Sequence, residues 1–247
     1  MKSYLKVFNV RSSSAGFTLI ELMIAMTLTT IVIGVAGFGL VALTGSNTKA
    51  EVKTQRRIEL SRASDFILDE IRMARRINTT TNTTTTASDA VTASNTATAF
   101  SPTLGSTGGT IVLYLEIPIT STITGNCPAG TPREGLAPAT FDRVVYDIRS
   151  STSTWLSPRT INRYGRIPTN DGIIDPCSNP VANEALVDSI IDTPNINPTC
   201  TSPAVLSGTG GFYACVNDRT VALYLRSKVT STENYDLNSK GFARVAP

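Results

Sequence analysis

The sequence predicts an α+β protein: a long N-terminal α-helix, transmembrane in its first half and amphipathic in its second, packed on an antiparallel β-sheet head. Three patterns predict it. Residues 17–43 form an apolar run whose one ionisable side chain is Glu21. Residues 49–78 repeat apolar side chains at spacings of three and four, the period of a helix face. From Thr110 onwards the apolar period becomes two, the period of a strand. The boundaries this gives are a basic leader at 1–16, a membrane segment at 17–45, an amphipathic helix at 46–78, a threonine-rich flexible loop at 79–109 and a β head at 110–247.

Charge comes next, because it bears on the leader. The chain has 247 residues, 22 Lys and Arg, 19 Asp and Glu, and no histidine. Its formal charge of +3 comes from Lys2, Lys6 and Arg11, which lie in a stretch without acids. The remaining body is balanced, so no polyanion partner is expected from its charge. The lack of histidine removes Ser-His-Asp and Cys-His catalysis, the HExxH metalloprotease site and any imidazole metal ligand.

The apolar run reads FTLIELMIAMTLTTIVIGVAGFGLVAL. As a helix it reaches roughly 40 Å, enough to cross a bilayer core of about 30 Å. A soluble helix rarely stays apolar all round for so long. Lys2, Lys6 and Arg11 precede the run, and the next positive charge is Lys49. This favours a cytoplasmic N-terminus with the body exported. A cleaved secretory signal fits poorly, since it has a shorter apolar region ending at small residues. Here the small residue, Gly16, lies before the run. Glu21 is a carboxylate inside an apolar helix, a costly placement that marks function.

The stretch SSSAGFTLIELMIAM resembles the class III signal of type IV prepilins and pseudopilins. The resemblance implies cleavage after Gly16 by a membrane peptidase and N-methylation of Phe17. It also implies that Glu21 is the assembly glutamate, paired with the free amine of Phe17 on a neighbouring subunit.

The amphipathic stretch places Leu60, Ala63, Ile67, Ile71 and Ala74 on one face, widened by Phe66 and Ile77. Eight basic and five acidic side chains interleave along it, and Arg62/Asp65 and Asp69/Arg72 are spaced to pair. Arg56, Arg57, Arg72, Arg75 and Arg76 could serve DNA uptake. The interleaved acids and the lack of aromatic partners favour a solvated face with cations near a helix C-terminus. Gly34, Gly37 and Gly39 permit close helix approach in the membrane half. No proline occurs between Phe17 and Ser101. Major type IV pilins commonly carry one in the apolar run, so its lack points to a minor subunit. LSRASDFILDEIRMARRI likewise resembles the J- and W-type minor pseudopilins.

In residues 79–99, ten of 21 are threonine, which breaks any apolar period and reads as a loop. Strands are expected over Thr110–Ile117, Arg143–Arg149, Trp155–Tyr164 and Thr220–Arg226, divided by Pro- and Gly-rich turns. In the second, Val144, Tyr146 and Ile148 share one face, and Arg143, Val145, Asp147 and Arg149 the other. VVYDIRSSTSTWLSPRTINRYG, followed by an acidic segment such as EALVDSI, is similar to the W-type pilins. GGFYACVNDRTVALYLRS is similar to a cyanobacterial set of pseudopilins linked to polysaccharide secretion.

Cys127, Cys177, Cys200 and Cys215 all fall in the exported body. An even count in an oxidising compartment implies two disulfides, for which three pairings exist. Cys200–Cys215 is favoured because it closes a loop beside a strand, leaving Cys127–Cys177. Asp171 and Asp175 in TNDGIIDP are weak calcium candidates, and N-D-G and D-P explain a turn equally well. No phosphate loop, GxSxG elbow or paired-carboxylate site stands out.

The expectation is therefore a non-enzymatic minor pilin or pseudopilin without a cofactor. Its partners would be other pilins, the prepilin peptidase, an inner-membrane assembly platform and lipid, with no nucleic acid. It would wait in the plasma membrane with its head outward before entering a pilus or pseudopilus. The alternatives are a major fibre-forming pilin and an uncleaved single-pass binding or sensory protein.

Overall fold

A computed structural model describes residues 16–78, 110–169, 171–193, 198–230 and 232–244. Most of the basic leader and the threonine-rich segment 79–109 lie outside the described residues. The chain forms two units, Met1–Ala50 and Glu51–Pro247. The helix α1, Leu19–Met73, supplies residues to both.

In the first unit every described side chain is exposed. Phe17 and Phe38 are 81% and 82% exposed, and α1 is long and apolar enough to cross a membrane. Such a surface is unfavourable in water and demands an apolar surrounding.

The second unit is the α+β body. Its strands are β1 (Arg76–Asn78), β2 (Thr110–Pro118), β3 (Phe141–Ser150), β4 (Arg159–Gly165), β5 (Val181–Ile190), β6 (Val205–Thr209), β7 (Phe212–Asn217), β8 (Thr220–Lys228) and β9 (Asn234–Phe242). All pairs are antiparallel, in the order β1-β2-β3-β4-β5-β8-β7-β6, with β9 on the other edge of β8. One pairing, Ile190 with Ser227, joins β5 to β8. Around it Gly211 donates to Ile191 O at 2.9 Å, and Arg226 N donates to Gly211 O at 2.7 Å. A Cβ on Gly211 would lie 2.3 Å from Arg226 O, so glycine is what allows three strands to meet there.

The C-terminal part of α1 packs on this sheet. Leu60, Ala63, Ile67, Leu68, Ile71 and Ala74 are buried against apolar side chains of the strands. β9 follows the helix closely. Ser64 and Ser239 share a hydrogen bond of 2.7 Å, and a Cβ on Gly241 would meet Leu68 at 2.9 Å and Ile71 at 3.0 Å.

Several expectations need correction. The helix was expected to run to 78 but ends at Met73, and Arg76–Asn78 becomes an edge strand on β2. Arg75 N donates to Glu116 O at 2.9 Å, so the ladder takes over from the helix. Ile77 is buried either way, which is why its spacing looked helical. Phe66, assigned to the buried face, is 39% exposed. The strand expected from Trp155 starts at Arg159, because residues 152–155 turn and Pro158 has no N–H for a ladder. EALVDSI, read as an acidic segment, lies inside β5. β3 is buried on both faces: Val144, Tyr146 and Ile148 join the main core. Val145 packs with Tyr114, Tyr164 and Ile111 on the other side, and Asp147 is fully buried.

Candidate processing and assembly site

The segment 16–18 precedes α1 and is not helical. Gly16 and Phe17 are exposed, and among the described residues nothing beyond its chain neighbours lies within 4 Å of where a Gly16 Cβ would be. The bond between them thus lies in exposed, irregular backbone. Thr18 occupies the N-cap. Its carbonyl accepts from Glu21 N at 3.1 Å and from Leu22 N at 3.2 Å. Its hydroxyl donates to Glu21 Oε2 at 3.5 Å. T-L-I-E has the residue spacing of a capping box, and it puts a carboxylate at the positive end of the helix dipole. Glu21 is therefore in the first turn of α1, one residue triplet from the segment that holds Gly16 and Phe17.

From Leu22 to Thr48 no side chain is ionisable. The threonine hydroxyls there turn inwards. Thr27, Thr29, Thr30, Thr44 and Thr48 each donate to a carbonyl one turn back, at 2.7–3.1 Å. Each hydroxyl is satisfied within its own helix, as a medium without water demands. Cβ atoms at Gly34, Gly37, Gly39 and Gly45 would meet nothing within 4 Å.

In the body, the four cysteines pair as Cys127–Cys177 and Cys200–Cys215, with Cα separations of 5.6 and 5.5 Å. Both separations suit the geometry of the bond. Arg56, Arg72 and Arg75 of the amphipathic stretch meet acids. Arg56 contacts Glu59 at 2.6 Å and Asp188 at 2.8 Å, and Arg72 contacts Asp69 at 2.5 Å. Arg75 lies 3.5 Å from Glu116 and stacks over Phe141 at 3.7 Å. Of the calcium candidates, Asp171 is exposed, while Asp175 accepts from Cys177 N at 2.8 Å in a turn. Among the described residues no three His, Cys, Asp or Glu side chains gather as a metal site would need.

A buried polar network that the sequence pattern did not reveal joins α1 to the sheet. The Glu70 carboxylate accepts from Arg163 Nε at 3.0 and 3.1 Å and from Nη2 at 2.7 Å. The Tyr146 hydroxyl donates to the same carboxylate. Arg163 is 3.8 Å from Asp142, whose carboxylate accepts from Arg166 N at 2.9 Å and Nη1 at 3.0 Å. Burial works to lower the Arg163 pKa, but hydrogen bonding and the charge of Glu70 outweigh it and raise it. Burial first, then the charge of Glu70, push the Tyr146 phenol well above its ordinary value. A signal did exist: Ala63, Ile67, Glu70 and Ala74 follow a 4-3-4 spacing, which puts Glu70 on the buried face. It was masked because Asp69, Arg72, Arg75 and Arg76 make the stretch look solvated.

Comparison with known families matches the prokaryotic N-terminal methylation motif over residues 11–37. That span contains Gly16, Phe17 and Glu21. No curated protein and no solved structure matches the chain. The motif supports a processed, type IV pilin-like structural subunit, and the apolar helix behind it is consistent with a single-pass membrane anchor.

Proposed function

We propose that this chain is a minor pilin or pseudopilin of the J/W type, a non-enzymatic subunit of a type IV pilus-like or secretion fibre. The observation that carries the reading is the methylation motif set directly on an exposed apolar helix with one acid in its first turn. Prepilin peptidase cuts after Gly16 and Phe17 becomes the methylated terminus. The processed subunit waits in the plasma membrane, with its N-terminus cytoplasmic and its disulfide-bonded body outside. An assembly platform then moves the helix from lipid into a bundle of other pilins. Glu21 pairs there with the terminal amine of a neighbour, because an unpaired carboxylate in a dry bundle is costly. The proline-free run from Phe17 to Ser101 and the sequence D-E-I-R-M-A-R support a minor over a major subunit. The likeness of GGFYACVNDRTVALYLRS to polysaccharide-secretion pseudopilins supports a secretion fibre.

The test is intact mass and N-terminal sequencing of the membrane-extracted protein, with and without the peptidase. The expected chain begins at N-methyl-Phe17 only when the peptidase is active. A chain still beginning at Met1 in cells with active peptidase overturns the assembly reading in favour of an uncleaved membrane-anchored binding protein. Counting the chain against the main subunit in sheared fibres separates minor from major: the expected ratio is far below one.

A further inference from the structure

On the outward face of β7, β8 and β9 the cross-strand pairs Tyr213–Tyr224 and Tyr224–Asn238 form one rung. Arg226 and Asp236 form the next rung, two residues along each strand. Together they line a cleft of about 210 Å³. Pro198 closes one side. It stands two residues before Cys200, and the bond from Cys200 to Cys215 on β7 pins that segment over the sheet. The cleft sits where β8 exchanges β7 for β5 as its neighbour, so diverging strands open it and a disulfide walls it.

Its chemistry selects a ligand class. Arg226 Nη2 donates to Asp236 Oδ2 at 2.5 Å, so the two charges cancel and neither a phosphate nor a metal ion is favoured. The paired carboxylate still has acceptor capacity, Asn238 offers a donor and an acceptor, and Tyr224 offers a hydroxyl at the edge of an aromatic ring. An apolar ring wall with a neutral, donor-and-acceptor rim complements a solute with a C–H face and an O–H edge. We propose that this cleft binds a neutral pyranose ring of a glycan, held against the Tyr224 ring, with its hydroxyls bonded to Asn238 and the Arg226–Asp236 pair. The proposal does not depend on processing at Gly16.

The test uses the full chain in lipid nanodiscs, which avoid sugar-headed detergents. The probes are the methyl β-glycosides of glucose, galactose and N-acetylglucosamine, observed by saturation-transfer NMR. At least one is expected to receive saturation on its ring C–H protons. Asn238→Ala and Tyr224→Ala are each expected to weaken binding about tenfold or more. Asn238 is exposed, so its variant keeps the fold, and the Trp155 fluorescence melt checks this. Replacing Cys200 and Cys215 by serine is expected to weaken binding by freeing the Pro198 wall. Absence of transfer to all three glycosides overturns the proposal, as does undiminished transfer in a folded Asn238→Ala protein.

Discussion

Glu70 of α1 and Arg163 of β4, 93 positions apart in sequence, are both almost completely buried and face each other through three hydrogen bonds. This pair fixes one rotation of the helix on the sheet, because a one-residue turn of α1 would carry the carboxylate away from the guanidinium. Apolar contacts alone are less discriminating, since Ile67, Leu68 and Ile71 offer similar surfaces.

Removing one partner leaves the other charged and buried. Glu70→Gln is expected to destabilise the body by about 3–5 kcal/mol, because Arg163 keeps its charge and loses its anion. Urea unfolding followed by the fluorescence of Trp155, the single tryptophan, measures this. A double variant, Glu70→Met with Arg163→Met, is expected to recover much of that loss. Recovery would be absent if Arg163 were held mainly by Asp142, 3.8 Å away.

Asp147 predicts a pH dependence. Burial raises its pKa above the ordinary 3.8, against the hydrogen bonds and charge of Arg149. The folded state therefore holds this proton more tightly than the unfolded one. Between the ordinary and the raised value the native chain carries the extra proton, so stability from this group is gained as pH falls and lost as it rises. Relative to the parent, Asp147→Asn is expected to be favoured more at pH 7 than in acid below that window. Urea titrations at both pH values check it; a difference independent of pH counts against it.

Gly241 predicts a packing limit. A methyl group there would meet Leu68 and Ile71 at 2.9–3.0 Å, so Gly241→Ala is expected to cost about 1–3 kcal/mol. Leu68→Ala in the same chain frees the space, and the two losses should sum to less than their separate values. Thermal melts of the two single variants and the double variant complete the cycle.

The two disulfides predict unequal losses. Cys127–Cys177 closes 50 positions and Cys200–Cys215 closes 15. In the chain-entropy account, serine pairs are expected to cost about 4 and about 3 kcal/mol respectively. Denaturant midpoints of the two double-serine chains, read without reductant, test the order.

The helix and its exposed apolar half were legible because a 27-residue apolar run allows few other readings. The end of the helix was not. Ile77 lies three positions after Ala74, and burial at 77 satisfies a helix and an edge strand alike. Alternation in β3 sorted Val144, Tyr146 and Ile148 from Val145 and Asp147, but it cannot tell whether the second face is covered. Coverage depends on distant chain: Ser207 of β6 reaches Ile111 of β2 at 3.5 Å, and Ile111 packs with Val145. Strands β7 and β9 went unread because their apolar residues only gain meaning beside β8. The methylation motif was readable as a contiguous stretch, whereas Glu70 needed Arg163, which no local window contains.

The inward-turned threonines of the membrane half have a consequence for mobility between surroundings. With Thr27, Thr29, Thr30, Thr44 and Thr48 bonded to their own backbone, their outer surface is methyl. In the proposed passage from acyl chains to a bundle of similar helices, these hydroxyls would break no hydrogen bond and create none. Under the assembly proposed above, these threonines would favour neither surrounding over the other. On that proposal the direction of travel would come from the helix's first turn and from whatever pushes, not from the shaft.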